Sequence, residues 1–139
     1  MDQKTVTLVQ ESFEKVKPIA STAAEIFYTK LFEVDPALKS LFPGNPTDDS
    51  MKEQGNKLMT MLGAAVAGLS NLSALIPVLE GLGKRHVDYK VEASHYDSVG
   101  IALLDTLKAG LGEEFTSEVK EAWATVYTTM AKVMIDASY

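Results

Sequence analysis

The sequence contains no cysteine. That excludes disulfides, iron–sulfur clusters, thiolate-ligated haem and covalently attached c-type haem. Two histidines are too few for the usual His-rich zinc site. There is no surplus of positive charge either. Thirteen Lys and Arg against 19 Asp and Glu leave a formal net charge of −6, which argues against a generic nucleic-acid binder. The longest run without a polar side chain, Met61 to Leu69, falls far short of the roughly 20 residues that a membrane span requires. The opening MDQKTVTLVQESFEK lacks the basic start and apolar stretch of a secretory signal, so a cytoplasmic location is expected. No internal repeat, low-complexity tract, interdomain linker or long period-two alternation occurs.

What is present is apolar spacing of three and four along a chain of one domain's length, 139 residues. The expectation is an all-α domain over residues 1–139. A first helix over about 3–17 carries Val6, Val9, Phe13 and Val16. Pro18 marks a boundary. A second helix over about 19–34 carries Ile19, Ala23, Ile26, Phe27, Leu31 and Phe32. Asp35-Pro36 opens a short helix ending near Leu41-Phe42. PGNPTDD is the most turn-like stretch. Ser50-x-x-Glu53 is a capping box for a helix running to about Gly68. Asn71 to Ile76 is ambiguous, and Pro77 is expected to open a helix over 77–88. Ser94, with Asp97, caps the next one, which stops near Gly110-Leu111-Gly112. Thr116 caps a last helix carrying Val119, Trp123, Val126, Tyr127 and Met130. About seven helices with short connections fit either a bundle or a globin-type arrangement, and periodicity does not choose between them.

Four residues stand out. His86 shares a helix face with Leu79 and Leu82. Position alone favours a core histidine with a satisfied hydrogen bond, although an imidazole facing an apolar cavity is also what haem iron needs. Gln54 leads a stripe of Leu58, Met61, Leu62 and Ala65, and the simple reading leaves it on the rim, in water. Tyr28 suits a core if its phenol finds a partner. Phe42 ends the short helix just before a loop.

The ordered set FYTKLFEVDPALKSLF (27–42), QGNKLMTMLG (54–63), NLSALIPVLEGLGKRH (71–86), SHYDSVGIALLDTL (94–107) and AWATVYTTMAKVM (122–134) resembles a single-domain bacterial globin of the flavohaemoglobin-like and neuroglobin-like lineage. The resemblance implies a globin fold around haem b (iron protoporphyrin IX). It makes His86 the proximal ligand, with its other ring nitrogen donating to a carbonyl about one turn earlier, near Leu82. Tyr28 and Gln54 become the distal pair beside the gas. Leu58 and Leu62 form apolar walls, and Phe42 packs on the porphyrin. Val91, Val99 and Leu103 become further wall, and Lys57 and Arg85 reach toward the propionates. Tyr96 matches the proximal tyrosine of flavohaemoglobins. Their proximal glutamate finds no counterpart up to Ser138-Tyr139, and the expectation is a globin domain working without a reductase module of its own. His95 lies beyond the proximal ligand, so no second histidine reaches the distal place, and an open sixth position is expected.

The implied activity is reversible binding of dioxygen, with carbon monoxide and nitric oxide as further ligands, for storage, delivery or scavenging. High oxygen affinity is expected from two distal donors. The alternative is a nitric-oxide dioxygenase served by a separate reductase. A haem-based sensor would need an output domain. A haem-free helical interaction module would close the apolar face of the Gln54–Ala65 helix directly against Leu79 and Leu82.

Overall fold

The computed structural model describes residues 3–41, 49–88 and 94–138. Six α-helices and three short 3-10 turns make up the described architecture, and among the described residues there is no strand. The helices are α1 (Gln3–Val16), α2 (Ala20–Val34), α3 (Asp49–Gly68), α4 (Leu72–Asp88), α5 (His95–Leu111) and α6 (Ser117–Ser138). None is long and apolar enough to cross a membrane, among the described residues.

The apolar spacing predicted for α1 is its buried face: Val6, Val9, Phe13 and Val16 are all in the core. Ser12 shares that face. Its hydroxyl donates to the Leu8 carbonyl at 2.7 Å and accepts the Trp123 indole N–H at 2.8 Å. A buried indole needs such a partner, and this one fastens α6 to α1. The helices then stack in pairs, α4 against α6, α2 against α5, α1 against α6 and α2 against α3. By contrast α3 and α4 meet only briefly, so a cleft opens between them.

Several boundaries differ from the sequence expectation. Residues Lys17–Ile19 form a 3-10 turn ahead of α2, which leaves Ile19 exposed instead of on the helix's apolar face. The short element after Asp35 is also 3-10, over Pro36–Leu41. α3 begins at Asp49, so Ser50 is already helical and is not its N-cap. Pro77 does not open α4. The Asn71 carbonyl accepts from Ala74 and Leu75 at 3.2 Å each, so the helix starts at Leu72 with Pro77 inside it. Pro77 and Ser73 are both exposed, so the Ser73 carbonyl that loses its helical donor faces water. Ser94 precedes α5 in helical conformation and makes no side-chain cap. Thr116 does cap α6, accepting the Val119 N–H at 3.3 Å. α5 ends at Gly112, whose φ of +56° suits a residue without Cβ.

Candidate functional site

α2 and α3 build one wall of the cleft. Tyr28 is buried, packed edge-on against Phe27 at 5.2 Å between ring centroids. Burial pushes its phenol up to about 12, and a hydrogen bond with Gln54 acts the other way. The two side chains that sequence reasoning placed together therefore do meet. Gly55 makes the meeting geometrically possible. A Cβ at that position would stand 2.8 Å from the Ala24 Cβ, so only glycine lets α3 approach α2 this closely without a shift.

The apolar stripe of α3 is half-buried. Leu58, Met61, Leu62 and Ala65 keep part of their surface uncovered, whereas Met51, Val66 and Leu69 on the same segment are buried. Met61 and Ala65 turn toward the cleft. Between α3 and α4 a cavity of about 220 Å³ is lined by Met61, Ala65, Leu79 and Leu82 among others. Hence the stripe is not closed against Leu79 and Leu82, which was the geometry expected of a haem-free module. Leu58, Leu62 and Leu103 also line a void of about 10 Å³ that reaches back to Phe27 and Leu107. A volume this small is at the limit for one water, and its lining is apolar.

α4 and α5 build the opposite wall. His86 is half-buried, and its Nδ1 lies 2.7 Å from the carbonyl oxygen of Leu82. This is the bond expected from the sequence, in the helical i−4 position. A carbonyl can only accept, so Nδ1 is the donor in this bond, and in the neutral form of such a ring the lone pair belongs to Nε2. Tyr96 is buried beside it, with ring centroids 6.2 Å apart. Val99 is half-buried against the core. His95 is the first residue of α5.

Lys57 and Arg85 are exposed. The Lys57 Nζ sits 3.9 Å from Glu53 Oε1, one turn earlier. Phe42 and Val91 lie outside the described residues. Gly55 was missed as a site residue, although a glycine in a helix interior costs about 1 kcal/mol against alanine and so signals a close approach.

The donor set fits haem. An imidazole whose Nδ1 donates to a backbone carbonyl is arranged as a haem axial ligand is, with Nε2 as the atom that would ligate. The cavity one turn before it has a mostly apolar lining from α3 and α4, and the Tyr28 phenol and Gln54 amide meet where α2 packs on α3. Among the described residues no three His, Asp or Glu side chains cluster, so a bare ion held by several carboxylates and imidazoles has no cage there.

Comparison with known proteins bears on the family and the fold. The Globin family matches residues 25–134. A flavohemoprotein of Vibrio cholerae is 28% identical over 98% of this chain and 34% of its own length. A flavohemoprotein of Xylella fastidiosa is 31% identical over 95% of this chain and 32% of its own. The chain thus spans about a third of the flavohemoproteins it matches. A neuroglobin of Danio rerio is 29% identical over 96% of this chain and 90% of its own. Among solved structures, a hexacoordinated heme protein from an anhydrobiotic tardigrade superposes with a TM-score of 0.89 at 18% identity, covering 99% of this chain and 94% of that one. That last likeness is one of fold.

Proposed function

The chain belongs to the globin family, and from that premise we propose that it holds haem b through His86 and binds dioxygen reversibly, with high affinity. The observation that carries this reading is the imidazole of His86, whose Nδ1 donates to the Leu82 carbonyl at 2.7 Å, which makes Nε2 the atom that would bind iron. The ferrous iron of such a group supplies the bond to a diatomic gas.

The chain's own residues then decide which gas is held, and how long. Tyr28 keeps its proton at any ordinary pH, because its phenol is pushed up to about 12. It therefore remains an O–H donor. An amide N–H from Gln54 to the phenol oxygen is the arrangement that lowers a phenol's pKa, and it leaves the phenol's own hydrogen to be aimed at the ligand. Dioxygen gains negative charge on binding, and carbon monoxide gains little. Hydrogen bonds to charged groups contribute about 1.5–3 kcal/mol each. Two donors slow oxygen release by roughly two to four powers of ten, at about 1.4 kcal/mol per decade. Gln54 in the distal place keeps the sixth position open.

The test is an absorption spectrum of haem-supplied protein, reduced and then exposed to carbon monoxide. Five-coordinate ferrous features that shift with the gas are expected, together with loss of bound haem in His86→Ala. Six-coordinate features before gas is added would overturn the distal account. Retention of unchanged five-coordinate haem by His86→Ala would overturn the proximal one.

The likeness to flavohemoproteins favours a second reading, nitric-oxide dioxygenation. Nitric oxide, dioxygen and one electron give nitrate, and a separate reductase would supply the electron. Steady nitrate production with such a reductase would select this reading.

A further inference from the structure

The cavity between α3 and α4 runs along both helices, away from His86. Its lining on α4 extends from Leu82 back to Val78 and Ala74, which precede His86 by about 12 and 18 Å at 1.5 Å of rise per residue. Ala64, Asn71, Ala74 and Val78 are exposed, so this far end opens to solvent between short side chains. Met61 lines the same cavity from α3. A solute that enters at the far end therefore reaches Met61 along the cavity, while a group held at His86 lies past Leu82, at the other end.

The described methionines differ in this respect. Met51, Met130 and Met134 are buried. Met59 is half-buried, but it packs on the core and lines only the void of about 10 Å³, room for one water at most. Met61 is half-buried and borders about 220 Å³. The chain has no cysteine, so no thiol competes with a thioether for an oxidant.

We propose that Met61 is the peroxide-sensitive site of this chain: hydrogen peroxide entering the cavity converts the Met61 thioether to the sulfoxide, and the sulfoxide loosens the cleft's hold on haem. A lone pair of the Met61 sulfur attacks one oxygen of the peroxide. The S–O bond forms as the O–O bond breaks, and the departing hydroxide takes the proton left on the transferred oxygen and leaves as water. Sulfur is oxidised by two electrons and the peroxide is reduced by two. A flexible apolar side chain becomes a polar one. In a mostly apolar lining the new oxygen either draws water into the cleft or goes unpaired. The effect on haem rests on the haem reading above, whereas the site of oxidation belongs to the chain itself.

The experiment treats the full-length protein with hydrogen peroxide, once haem-free and once haem-loaded, with the iron reduced and capped by carbon monoxide so that it does not consume the oxidant. Fragment-ion mass spectrometry reads sulfoxide residue by residue, and transfer to a scavenging apoprotein reads haem loss. Met61 is expected to oxidise several times faster than Met51, Met59, Met130 or Met134. Haem loss from the treated parent is expected to quicken about tenfold, the effect of one poorly paired polar group, and methionine sulfoxide reductase is expected to reverse it. Met61→Leu, which roughly keeps the volume and removes the thioether, is expected to lose haem at one rate before and after treatment. Acceleration that persists in Met61→Leu would belong to another methionine and would refute the proposal. Oxidation of Met59 or of a buried methionine as fast as that of Met61 would overturn the assignment of the site. Met61 sulfoxide with unaltered haem loss would overturn its consequence. A parent that takes up no haem would sink the haem reading, while the order of oxidation would still decide the site.

Discussion

Tyr28 and Gln54 hold each other across two helices, whereas His86 is held by the carbonyl of its own helix one turn earlier. The distal wall therefore depends on two side chains and on the distance between α2 and α3. The proximal bond depends on one side chain and on a backbone that any helical sequence supplies. A restraint drawn from the backbone survives most substitutions around it. A side-chain pair fails if either member changes or if the helices move apart. The side-chain pair is thus the more tunable, which suits the gas-discriminating role proposed for it. The backbone-held histidine is the more robust, which suits the cofactor-holding role proposed for it.

The comparison is broken most severely by removing both distal donors. Tyr28→Phe with Gln54→Leu is expected to speed oxygen release by two to four powers of ten, taking about 1.5–3 kcal/mol for each bond to a charged ligand. Carbon monoxide release is expected to change far less. Stopped-flow displacement of one gas by the other reads both, and equal effects on the two gases would remove the case for charge-selective donors.

The next effect is one of pH. The Tyr28 phenol is raised from 10.0 to about 12 in the fold. Below pH 10 it is protonated in both folded and unfolded chains and contributes no slope. Between about 10 and 12 the unfolded chain loses the proton first, so stability falls as pH rises. Two pH units at about 1.4 kcal/mol each make the loss on the order of 3 kcal/mol, complete by about pH 12. Tyr127 titrates high as well, so the readout is the difference between parent and Tyr28→Phe in denaturant midpoints from pH 9 to 12. Parallel curves would show that Tyr28 is not protected from ionisation in the fold.

Helix approach is the third variable. Gly55→Ala places a methyl 2.8 Å from the Ala24 Cβ. Overpacking of this kind costs about 1–3 kcal/mol, here through displacement of α3 from α2. Stability is expected to fall, and oxygen release to quicken, although neither donor has been touched. Ala24→Gly in the same chain should recover both. Recovery of stability without recovery of release would mean that Gly55 matters to packing and not to the meeting of Tyr28 with Gln54.

The sequence made the proximal wall more legible than its supports. The His86–Leu82 bond follows from helical periodicity, because a residue and the carbonyl four before it are always neighbours. The core faces of α1 and α6 were readable for the same reason. Helix starts were less so. Ser50 and Ser94 carry the composition of a cap, but capping depends on position and backbone conformation, and Ser50 lies inside α3 while Ser94 is helical ahead of α5. Pro77 was misread because a proline is tolerated inside a helix when the carbonyl it orphans faces water. Gly55 acts across helices, through a distance that no spacing along one helix encodes.

The smallest expected effect tests the rim of the cleft. Lys57 is exposed, and its pair with Glu53 at 3.9 Å is a surface contact between side chains that are 68% and 77% exposed. Such pairs contribute roughly 0.3–0.5 kcal/mol at i,i+4 spacing. Lys57→Ala should therefore leave the stability of the haem-free protein almost unchanged. If the lysine leaves Glu53 to hold a propionate, the same substitution speeds haem loss to a scavenging apoprotein severalfold, and added salt shrinks the difference, since an exposed pair is screened. Arg85→Ala is the matching test on the opposite wall. A haem-loss rate unaltered in both variants would mean that the rim lysine and arginine are solvated charges. Retention would then rest on His86 and on the apolar faces of α3 and α4, the part of the site that the backbone already secures.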